Sequence, residues 1–256
     1  MSNDLYDAEL SEKQERMART KDMVGQRAEL MRVLSPKHNE EILELGCGNG
    51  IFTHDLLEAI KPEGRIAGLD SSEAILSTAV HNCPEGEFIL GDAQNLPFGD
   101  ATFDAVVAAQ LFCFLDDVDR ALSETLRVLK PQGRVVILDT DWDTLVWRAG
   151  DPDLMERVMA AHEAVYTDAH LPKSLPQRLS NAGFRDTNAD SFVVLNTEFG
   201  EDTYARQSAG IIVSIMAGSP DFSTAEQKNW LNDLEKLEQA GGFFFSLNRY
   251  IVSAIK

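Results

Sequence analysis

The sequence predicts an α/β fold in which a mostly parallel sheet carries helices on both faces. Three observations support this prediction. Short apolar segments alternate with helix-like segments between residues 40 and 140, which is the pattern of successive βαβ units. A glycine-rich turn follows the first apolar segment. Acidic residues stand near the ends of the first three apolar segments, where a parallel sheet would bring them to one edge.

Length and charge narrow the function classes. The 256 residues predict one domain or at most two. Lys and Arg number 23 and Asp and Glu 42, so the net charge is −19. That field repels phosphate backbones and anionic lipids, so nucleic acid and acidic membranes are poor partners. No signal-peptide pattern and no apolar run of about 18 residues occurs, which predicts no membrane span.

The cysteines bear on the compartment. Cys47, Cys83 and Cys113 form no C-x-x-C pair, and their number is odd. Such a pattern is typical of reduced thiols in a reducing compartment. We therefore expect a cytoplasmic protein.

Each element follows from its local pattern. Residues 2–34 have apolar side chains at helical spacing and predict an amphipathic helix that ends near Ser35-Pro36. Five strands are predicted next, at 41–45, 65–69, 87–90, 103–108 and 133–139. Helical or loop segments connect them, at 50–60, 72–81, 92–99 and 117–129.

The pattern changes after residue 139. Residues 151–182, 201–217 and 223–239 read as helical, and residues 184–197 and 243–255 as extended. The two late strands can close the sheet with one antiparallel strand. The late helices are predicted to form a lid, or alternatively to pad the sheet edge. We expect one domain, with an N-terminal helical segment (1–38), a ligand-binding core (39–140) and substrate-side insertions with the closing strands (141–256).

The glycine-rich turn contains Gly46, Gly48 and Gly50 between a strand and a helix. Glycines let the backbone turn tightly and approach a ligand closely. The dinucleotide fingerprint would need a glycine at position 51, where this chain has Ile51. The carboxylate of Glu44, at the end of the preceding strand, suits a cationic ligand group better than a pyrophosphate.

Two further acids follow the next two strands. Asp70 ends the second strand, where an acid can accept hydrogen bonds from both ribose hydroxyls. Asp92 follows the third strand, where a carboxylate can accept an adenine amino hydrogen. Either acid alone could be a solvated loop residue. Acids at the carboxyl ends of successive strands together predict a ligand site.

Five ordered motifs span residues 40–140. They are Glu44-Leu-Gly-Cys-Gly-Asn-Gly50, Gly68-Leu-Asp70-Ser-Ser72, Gly91-Asp-Ala-Gln-Asn-Leu-Pro-Phe98, Phe103-Asp-Ala-Val-Val107 and Arg127-Val-Leu-Lys-Pro-Gln-Gly-Arg-Val-Val136. With these motifs the chain resembles the class I S-adenosylmethionine-dependent methyltransferases, and among them the methyltransferase-11, or UbiE-like, branch. The resemblance implies a Rossmann-like, seven-stranded, mostly parallel sheet with one antiparallel strand. It also implies S-adenosyl-L-methionine as cofactor.

The resemblance assigns roles to residues of the core. The three glycines would shape the wall near the methionine and ribose, and Asp70 would hold the ribose hydroxyls. Asp92 and the Ala93 amide would hold the adenine, and Gln110 would lie near the transferred methyl. The expected cofactor-binding residues are Glu44, Gly46, Cys47, Gly48, Asn49, Gly50, Asp70, Ser71, Asp92, Ala93 and Gln110. The acids agree with a cofactor that has a sulfonium and an ammonium and no phosphate.

Several aromatic residues are candidates for substrate binding. Phe112 could pack in the core or face the sulfonium, where a ring attracts a cation. Trp142 and Trp147 stand among aspartates after the fifth strand and could line an aromatic or amine substrate site. Arg249, in the last strand, could neutralise an acidic substrate.

The candidate catalytic residues are His162 and His170, with Tyr166 between them as a substrate-binding candidate. Spacings of four place all three on one helical face if the helix continues that far. A histidine has a suitable pKa for a general base. No metal cluster stands out in the sequence.

Three residues near the N-terminus could close over the cofactor: Tyr6, Thr20 and Arg27. Arg27 could pair with the carboxylate of the cofactor.

We expect a methyltransferase that acts on an oxygen, nitrogen or carbon atom of a small molecule. The candidate pocket residues suit a mid-sized, mostly apolar or aromatic acceptor that is neutral or cationic. A homodimer is possible. One alternative is a member of the fold that binds the cofactor without methylating. The others are a dinucleotide-dependent oxidoreductase, which Ile51 disfavours, and a scaffold protein with a relict site, which the intact glycines and acids disfavour.

Overall fold

The structure is a computed structural model that describes the backbone of residues 8–256 and the side chains of residues 12–256. Tyr6 lies outside the described residues. Among the helices of the described chain, none combines the length and apolar character that a membrane span needs.

One eight-stranded sheet runs through the molecule. Its strands are β1 Glu41–Leu45, β2 Arg65–Asp70, β3 Glu87–Leu90, β4 Phe103–Ala109, β5 Leu129–Thr140, β6 Val146–Trp147, β7 Arg185–Asn196 and β8 Phe245–Ile255. Strands β1 to β5 pair in parallel in the order β3-β2-β1-β4-β5. Strand β8 lies antiparallel between β5 and β7. The predicted sheet is confirmed. The prediction did not include β6, which consists of two residues that pair with the start of β8.

The helices follow the predicted alternation. They are α1 Ala8–Ala18, α2 Lys21–Leu34, α3 Ile51–Ile60, α4 Glu73–Asn82, α5 Val118–Val128, α6 Pro152–Glu163, α7 Leu175–Ala182, α8 Tyr204–Gly218 and α9 Thr224–Gln239. Residues 92–99 form a loop. The predicted N-terminal helix is two helices, because Thr20 caps α2 and accepts the Met23 N–H at 3.4 Å. Thr20 is therefore a buried capping residue and does not line the ligand cavity described below.

Alternating side chains place a core on each face of the sheet. Leu43 and Val106 point to the face that α5 and α7 cover, and Ile42 and Val107 to the face that α2 and α3 cover. Each fully buried side chain of this size contributes about 1.5–3 kcal/mol. These two cores hold the carboxyl ends of β1, β2 and β4 in fixed positions at one edge.

A third core lies among the late helices. Val158 of α6, Met216 of α8 and Trp230 of α9 pack together with residues at the start of β8. Helix α8 also packs against α1, so these helices cover the edge of the sheet where the cavity lies. Helix α7 is different, because Leu175 and Leu179 are fully buried in the core of the sheet. The covering helices are therefore α6, α8 and α9 with α1, whereas α7 is part of the main core.

Candidate active site

A cavity of about 700 Å³ lies beside the carboxyl ends of β1, β2 and β4. Ligands of open α/β sheets bind at this edge, and the volume is typical of a small-molecule site. The glycine-rich turn forms one wall, α1 and α2 form the second, and α6 with α8 forms the third.

The three glycines of the turn have different tasks. All have positive φ, at 68° for Gly46, 50° for Gly48 and 75° for Gly50. A Cβ at Gly50 would lie 2.8 Å from the Ala79 Cα, and one at Gly46 would lie 3.1 Å from the Leu111 side chain. A Cβ at Gly48 would have no described heavy atom within 4 Å, and this glycine lines the cavity. Gly46 and Gly50 therefore allow close packing, whereas Gly48 leaves room for a ligand.

Two carboxyl groups line the same wall. Glu44 is buried, accepts a hydrogen bond from the Thr53 hydroxyl at 2.5 Å, and has its pKa raised to about 8 by burial. Asp70 accepts the Gly48 N–H and the Ser72 N–H, both at 3.0 Å, and burial raises its pKa. A positively charged ligand group would stabilise the ionised form of both carboxyl groups.

Gln110, directly after β4, also lines the cavity. Its φ is +55°, a conformation that a residue with a side chain adopts at some cost. The side-chain oxygen accepts the Thr140 hydroxyl at 2.8 Å, but the buried Nε2 has no hydrogen-bond partner among the described residues.

The rest of the expected cofactor set divides in two. Cys47 and Asn49 line the cavity, and burial raises the pKa of the Cys47 thiol. Ser71, Asp92 and Ala93 lie beyond it, at the ends of β2 and β3. The exposed Asp92 accepts the N–H of Gln94 at 2.8 Å.

Arg27 lines the cavity from α2, but its guanidinium is engaged by the protein. Nε donates to Asp55 at 2.8 Å and Nη1 to the Ala18 carbonyl at 2.5 Å. The predicted pairing of Arg27 with a cofactor carboxylate would have to share this guanidinium with Asp55.

Arg249 forms part of the opposite wall and is 3% exposed. Its Nη1 donates to the Gln26 side-chain oxygen and to the Met23 sulfur, and its guanidinium carbon lies 4.6 Å from the centre of the Tyr204 ring. Its Nε has no hydrogen-bond partner among the described residues.

His162 and Tyr166 line the cavity together. The Tyr166 hydroxyl lies 3.3 Å from the His162 Nε2. Burial lowers the pKa of His162 to about 4 and raises the pKa of Tyr166. Trp142 packs behind this pair, with ring centres 4.4 Å from His162 and 5.2 Å from Tyr166, so Trp142 supports the wall without lining it.

His162, Tyr166 and His170 were predicted to share one helical face if the helix continued that far, and this condition is not met because α6 ends at Glu163. His170 lies outside the cavity lining, with Nδ1 3.0 Å from Asp141 and Nε2 3.2 Å from Glu163. The hydrogen bond to Asp141 raises the pKa of His170.

His170, Asp141 and Asp143 form the one group in residues 12–256 whose ligand atoms are close enough for a metal ion. The ammonium of Lys173 already contacts both aspartates of this group. A cation of the protein itself thus offsets part of the negative charge of the cluster.

Two predicted substrate residues lie in the core. Phe112 is fully buried on the α5 face of the sheet, and its neighbour Phe114 lines the cavity in its place. Trp147 packs edge-on against Phe245 at 4.8 Å and Trp230 at 5.5 Å between ring centres, within the third core. The structure therefore brings neither Phe112 nor Trp147 to the cavity.

Sequence reasoning missed the wall that α8 and α1 supply. The cavity residues of these two helices are Lys13, Gln14, Met17, Ala18, Tyr204, Ser208, Ile211, Ser214, Ile215 and Ala217. Helix α8 has apolar residues around most of its circumference, from Ile211 to Met216. That pattern is typical of a helix buried on several sides, and it was the available signal.

Comparison with known proteins agrees with this geometry. Residues 43–137 match a family model described as a methyltransferase domain. The chain is 46% identical over 100 residues to a demethylmenaquinone methyltransferase of Thermotoga maritima, over 39% of this chain and 43% of the relative. Residues 43–137 of this chain are thus similar to the class I S-adenosylmethionine-dependent methyltransferases, in their UbiE-like branch.

A longer match to this chain comes from Streptomyces fradiae. An uncharacterised 37.1 kDa protein in transposon Tn4556 is 30% identical over 233 residues, which is 88% of this chain and 65% of that protein. The chain thus spans about two fifths to two thirds of the lengths of these two curated relatives. Phosphoethanolamine N-methyltransferase 2 of Haemonchus contortus, solved with S-adenosyl-L-methionine, shares the fold at a TM-score of 0.66 and 18% identity, over 99% of this chain and 58% of that one.

Proposed function

We propose that this methyltransferase transfers a methyl group from S-adenosylmethionine to an oxygen, nitrogen or carbon atom of a small molecule bound in the 700 Å³ cavity. The observation that carries the proposal is the division of the cavity. Two carboxyl groups and an open glycine line one wall, and aromatic and apolar side chains line the other. Such a cavity can hold two molecules side by side and exclude water between them.

The chain's own residues fit the cofactor. Glu44 would accept hydrogen bonds from the ammonium group, and Asp70 from the two ribose hydroxyls. Gly48 leaves space for the ligand against the turn, and Gln110 lines the same cavity. When bound, S-adenosylmethionine supplies a methyl group on a positively charged sulfur.

The adenine would extend beyond the cavity. Asp92 and the Ala93 amide follow the end of β3, the strand that pairs with β2 next to Asp70. A ligand bound at Asp70 would reach them by extending from β2 towards β3. Ser71 and Asp92 keep their expected roles as proposals. Gly46 and Gly50 would act indirectly, by shaping the turn.

The acceptor side suits a mid-sized apolar or aromatic molecule. Phe114, Tyr166, Tyr204 and Ile211 supply most of this surface. The Tyr166 hydroxyl and His162 are the polar pair that could orient an acceptor hydroxyl or amine. His162 is neutral at physiological pH because its pKa is near 4, so it can accept a hydrogen bond but is a weak base. The name of the Thermotoga relative supports an aromatic acceptor.

The test is calorimetry followed by a transfer assay. We expect S-adenosylmethionine and S-adenosylhomocysteine to bind in the micromolar range, about −8 kcal/mol, and NAD not to bind comparably. Labelled cofactor and a metabolite extract should then give a labelled product by mass spectrometry. Tight binding of NAD, with no measurable heat of binding for S-adenosylmethionine, would favour an oxidoreductase. Cofactor binding without transfer to any metabolite would favour a member that does not methylate.

We further propose that the chain acts as one domain, in the cytoplasm. Helices from segments 1–38 and 141–256 line the same cavity as the core 39–140, which supports a single unit. The three cysteines are buried free thiols, as is usual in a reducing compartment. A homodimer would find exposed apolar side chains on the edge strand β7, at Val193 and Leu195. Light scattering after gel filtration tests that assembly.

A further inference from the structure

The acceptor side of the cavity contains one buried cation, the guanidinium of Arg249. We propose that the acceptor is an organic acid with an aromatic or apolar body, and that Arg249 binds its oxyanion. This inference rests on the proposed methyltransferase function and replaces the expectation of a neutral or cationic acceptor.

The partners of Arg249 within the protein are neutral. Its contacts are the amide oxygen of Gln26, the sulfur of Met23 and the ring face of Tyr204. Among residues 12–256 the guanidinium forms no ion pair with a carboxylate, and its Nε has no hydrogen-bond partner there. A guanidinium that is 3% exposed is costly to bury without an anion. Arg249 lines the cavity, and a ligand oxyanion bound there would supply the missing charge.

Asp139 is a buried carboxyl group close enough for its charge to interact with that of Arg249. It does not line the cavity. Its carboxyl lies by the Cys113 thiol and the amides of Phe112 and Cys113, although neither oxygen makes a hydrogen bond of good geometry among the described residues. Burial raises the pKa of Asp139 to about 7, so this group is partly neutral at neutral pH. Asp139 therefore compensates the Arg249 charge only in part.

The location of the Arg249 guanidinium in the cavity indicates that it binds the acceptor and not the cofactor. Its ring partner Tyr204 begins α8, and its charge also acts on Tyr166, the residue beside His162. The cation near Glu44, on the cofactor wall, is Arg27. Each half of the cavity thus has its own guanidinium, and that of Arg249 faces the aromatic half.

The surroundings of Arg249 define the rest of the acid. Phe114, Val165, Tyr166, Ile211 and Ile215 line the same half of the cavity. These side chains would contact a ring system of one or two fused rings, and they offer few polar partners. An acid with a single oxyanion and an apolar body matches this surface, whereas a polyanion does not.

The first experiment uses the full chain with saturating S-adenosylhomocysteine and three probes of one shape: 2-naphthoate, 2-naphthamide and 2-naphthylmethylammonium. Calorimetry measures the dissociation constant of each probe. We expect 2-naphthoate to bind at least tenfold more tightly than either of the others. Equal binding, or preference for the amide or the ammonium, would overturn the proposal. This comparison needs no variant.

The second experiment uses Arg249→Met and Arg249→Lys. We expect Arg249→Met to lose the preference for naphthoate and Arg249→Lys to keep part of it, with S-adenosylhomocysteine affinity unchanged within threefold in both. Arg206→Met is the matched control, because Arg206 also stacks on a ring, that of Phe199 at 4.9 Å, away from the cavity. It should keep the full preference.

Two results distinguish this proposal from cofactor binding by Arg249 and from a failure of the proposed function. In the first, Arg249→Met binds S-adenosylhomocysteine at least tenfold more weakly and keeps the preference for naphthoate. This result would show that Arg249 holds the cofactor's carboxylate, and it would overturn the proposal. A wild-type chain that binds no S-adenosylhomocysteine would overturn the proposed function instead. The probe preference, measured without the nucleoside, would then decide the Arg249 site by itself.

Discussion

At the carboxyl end of β2, Asp70 has two tasks. It accepts two backbone N–H groups, from Gly48 and Ser72, and so holds the glycine-rich turn against the start of α4. Its side chain also lines the cavity, where we propose that the ribose hydroxyls bind. The same carboxylate thus shapes the site and would contact the ligand.

We expect Asp70→Ala to weaken S-adenosylhomocysteine binding at least tenfold. Hydrogen bonds to a charged group contribute about 1.5–3 kcal/mol each, and a factor of ten corresponds to about 1.4 kcal/mol. Calorimetry measures the affinity and a thermal melt checks the fold. Asp70→Asn is the control, because it keeps one acceptor oxygen for the turn and should bind better than Asp70→Ala. Unchanged affinity of Asp70→Ala would show that the ribose lies elsewhere.

Glu44 gives a pH signature. With its pKa near 8 it is mostly protonated at pH 7, and a bound ammonium would stabilise the charged form. Binding of S-adenosylhomocysteine at pH 7 should therefore release close to one proton. Affinity should fall about tenfold per pH unit below about 8. Above about 8 it should fall again, because an α-amino group loses its proton at about 7.7–8.0.

Calorimetry in buffers with different ionisation enthalpies counts that proton. Glu44→Gln should bind more weakly and release none. Binding by the wild type without proton release would mean that Glu44 does not hold the ammonium.

Asp139 gives a stability signature. Its folded pKa of about 7 lies above the unfolded value of about 3.9. The contribution of such an acid to stability is complete below the unfolded pKa and is lost as the pH rises towards the folded pKa. Asp139→Asn should therefore raise the free energy of unfolding by about 1–3 kcal/mol at pH 8, with a smaller gain at pH 5.

Urea melts at both pH values measure this difference, and the exposed Asp116→Asn is the control. Destabilisation at both pH values would instead show that Asp139 compensates the buried Arg249 charge, which would weaken the case for an anionic acceptor.

Among the elements, α1 closes the cavity. Met17 and Gln14 of α1 line the cavity, and Lys13 donates a hydrogen bond to the Ser214 hydroxyl of α8 at 2.7 Å. The helix adds little to the core, because its partly buried Met17 only borders the third core. It can therefore control ligand escape without holding the sheet together.

Removal of residues 1–18 should raise the dissociation rate of S-adenosylhomocysteine about tenfold while the melting temperature without ligand changes little. Helix α2 keeps its Thr20 cap in this variant. Stopped-flow displacement measures the rate. Removing residues 151–182 is not a comparable test, because it would take Leu175 and Leu179 of α7 out of the main core. A dissociation rate equal to that of the full chain would show that α1 does not gate the cavity.

Elements with a local signal were predictable. Strands β1 to β5 and the turn at Gly46–Gly50 follow from the alternation of apolar segments, the glycine spacing and the strand-end acids. The bounds of β1 to β4 lie within one residue of the prediction, whereas β5 begins at Leu129, four residues before its predicted start. The end of α6 was not predictable, because a tertiary contact accompanies it. The amides of Thr167 and Asp168 both donate to the Cys113 carbonyl at 3.0 Å, which takes the chain away from the helix axis and carries His170 out of the cavity.

The acceptor wall was unpredictable for a related reason. Tyr204 and Ile211 reach the cavity because α8 packs against α6 and against α1, which is nearly 200 residues away in sequence. Trp142 and Trp147 looked suitable because they are aromatic and follow β5, but the third core takes up the side chain of Trp147. Arg249 was found from the sequence, yet its missing counterion could be seen only in three dimensions.

On the scale of the whole molecule, the net charge and the proposed oxyanion site act on an anionic ligand in opposite senses. The net charge of −19 repels an approaching anion, whereas the Arg249 guanidinium attracts it only near contact. The field of the molecule is screened over about 30 Å at 10 mM salt and about 8 Å at 150 mM. The buried contact is screened much less. Association and dissociation should therefore respond differently to salt.

We expect the association rate constant of 2-naphthoate to rise severalfold between about 10 and 150 mM salt, because screening weakens the repulsion. That of 2-naphthylmethylammonium should fall over the same range, and that of the uncharged 2-naphthamide should stay constant as the control. The dissociation rate constant of 2-naphthoate should change little, since Arg249 holds the bound oxyanion at 3% exposure. Stopped-flow fluorescence of the naphthyl ring measures all three probes. A 2-naphthoate association rate that falls with salt would mean that the cations near the cavity, Lys13 and Arg27 among them, outweigh the net charge during approach.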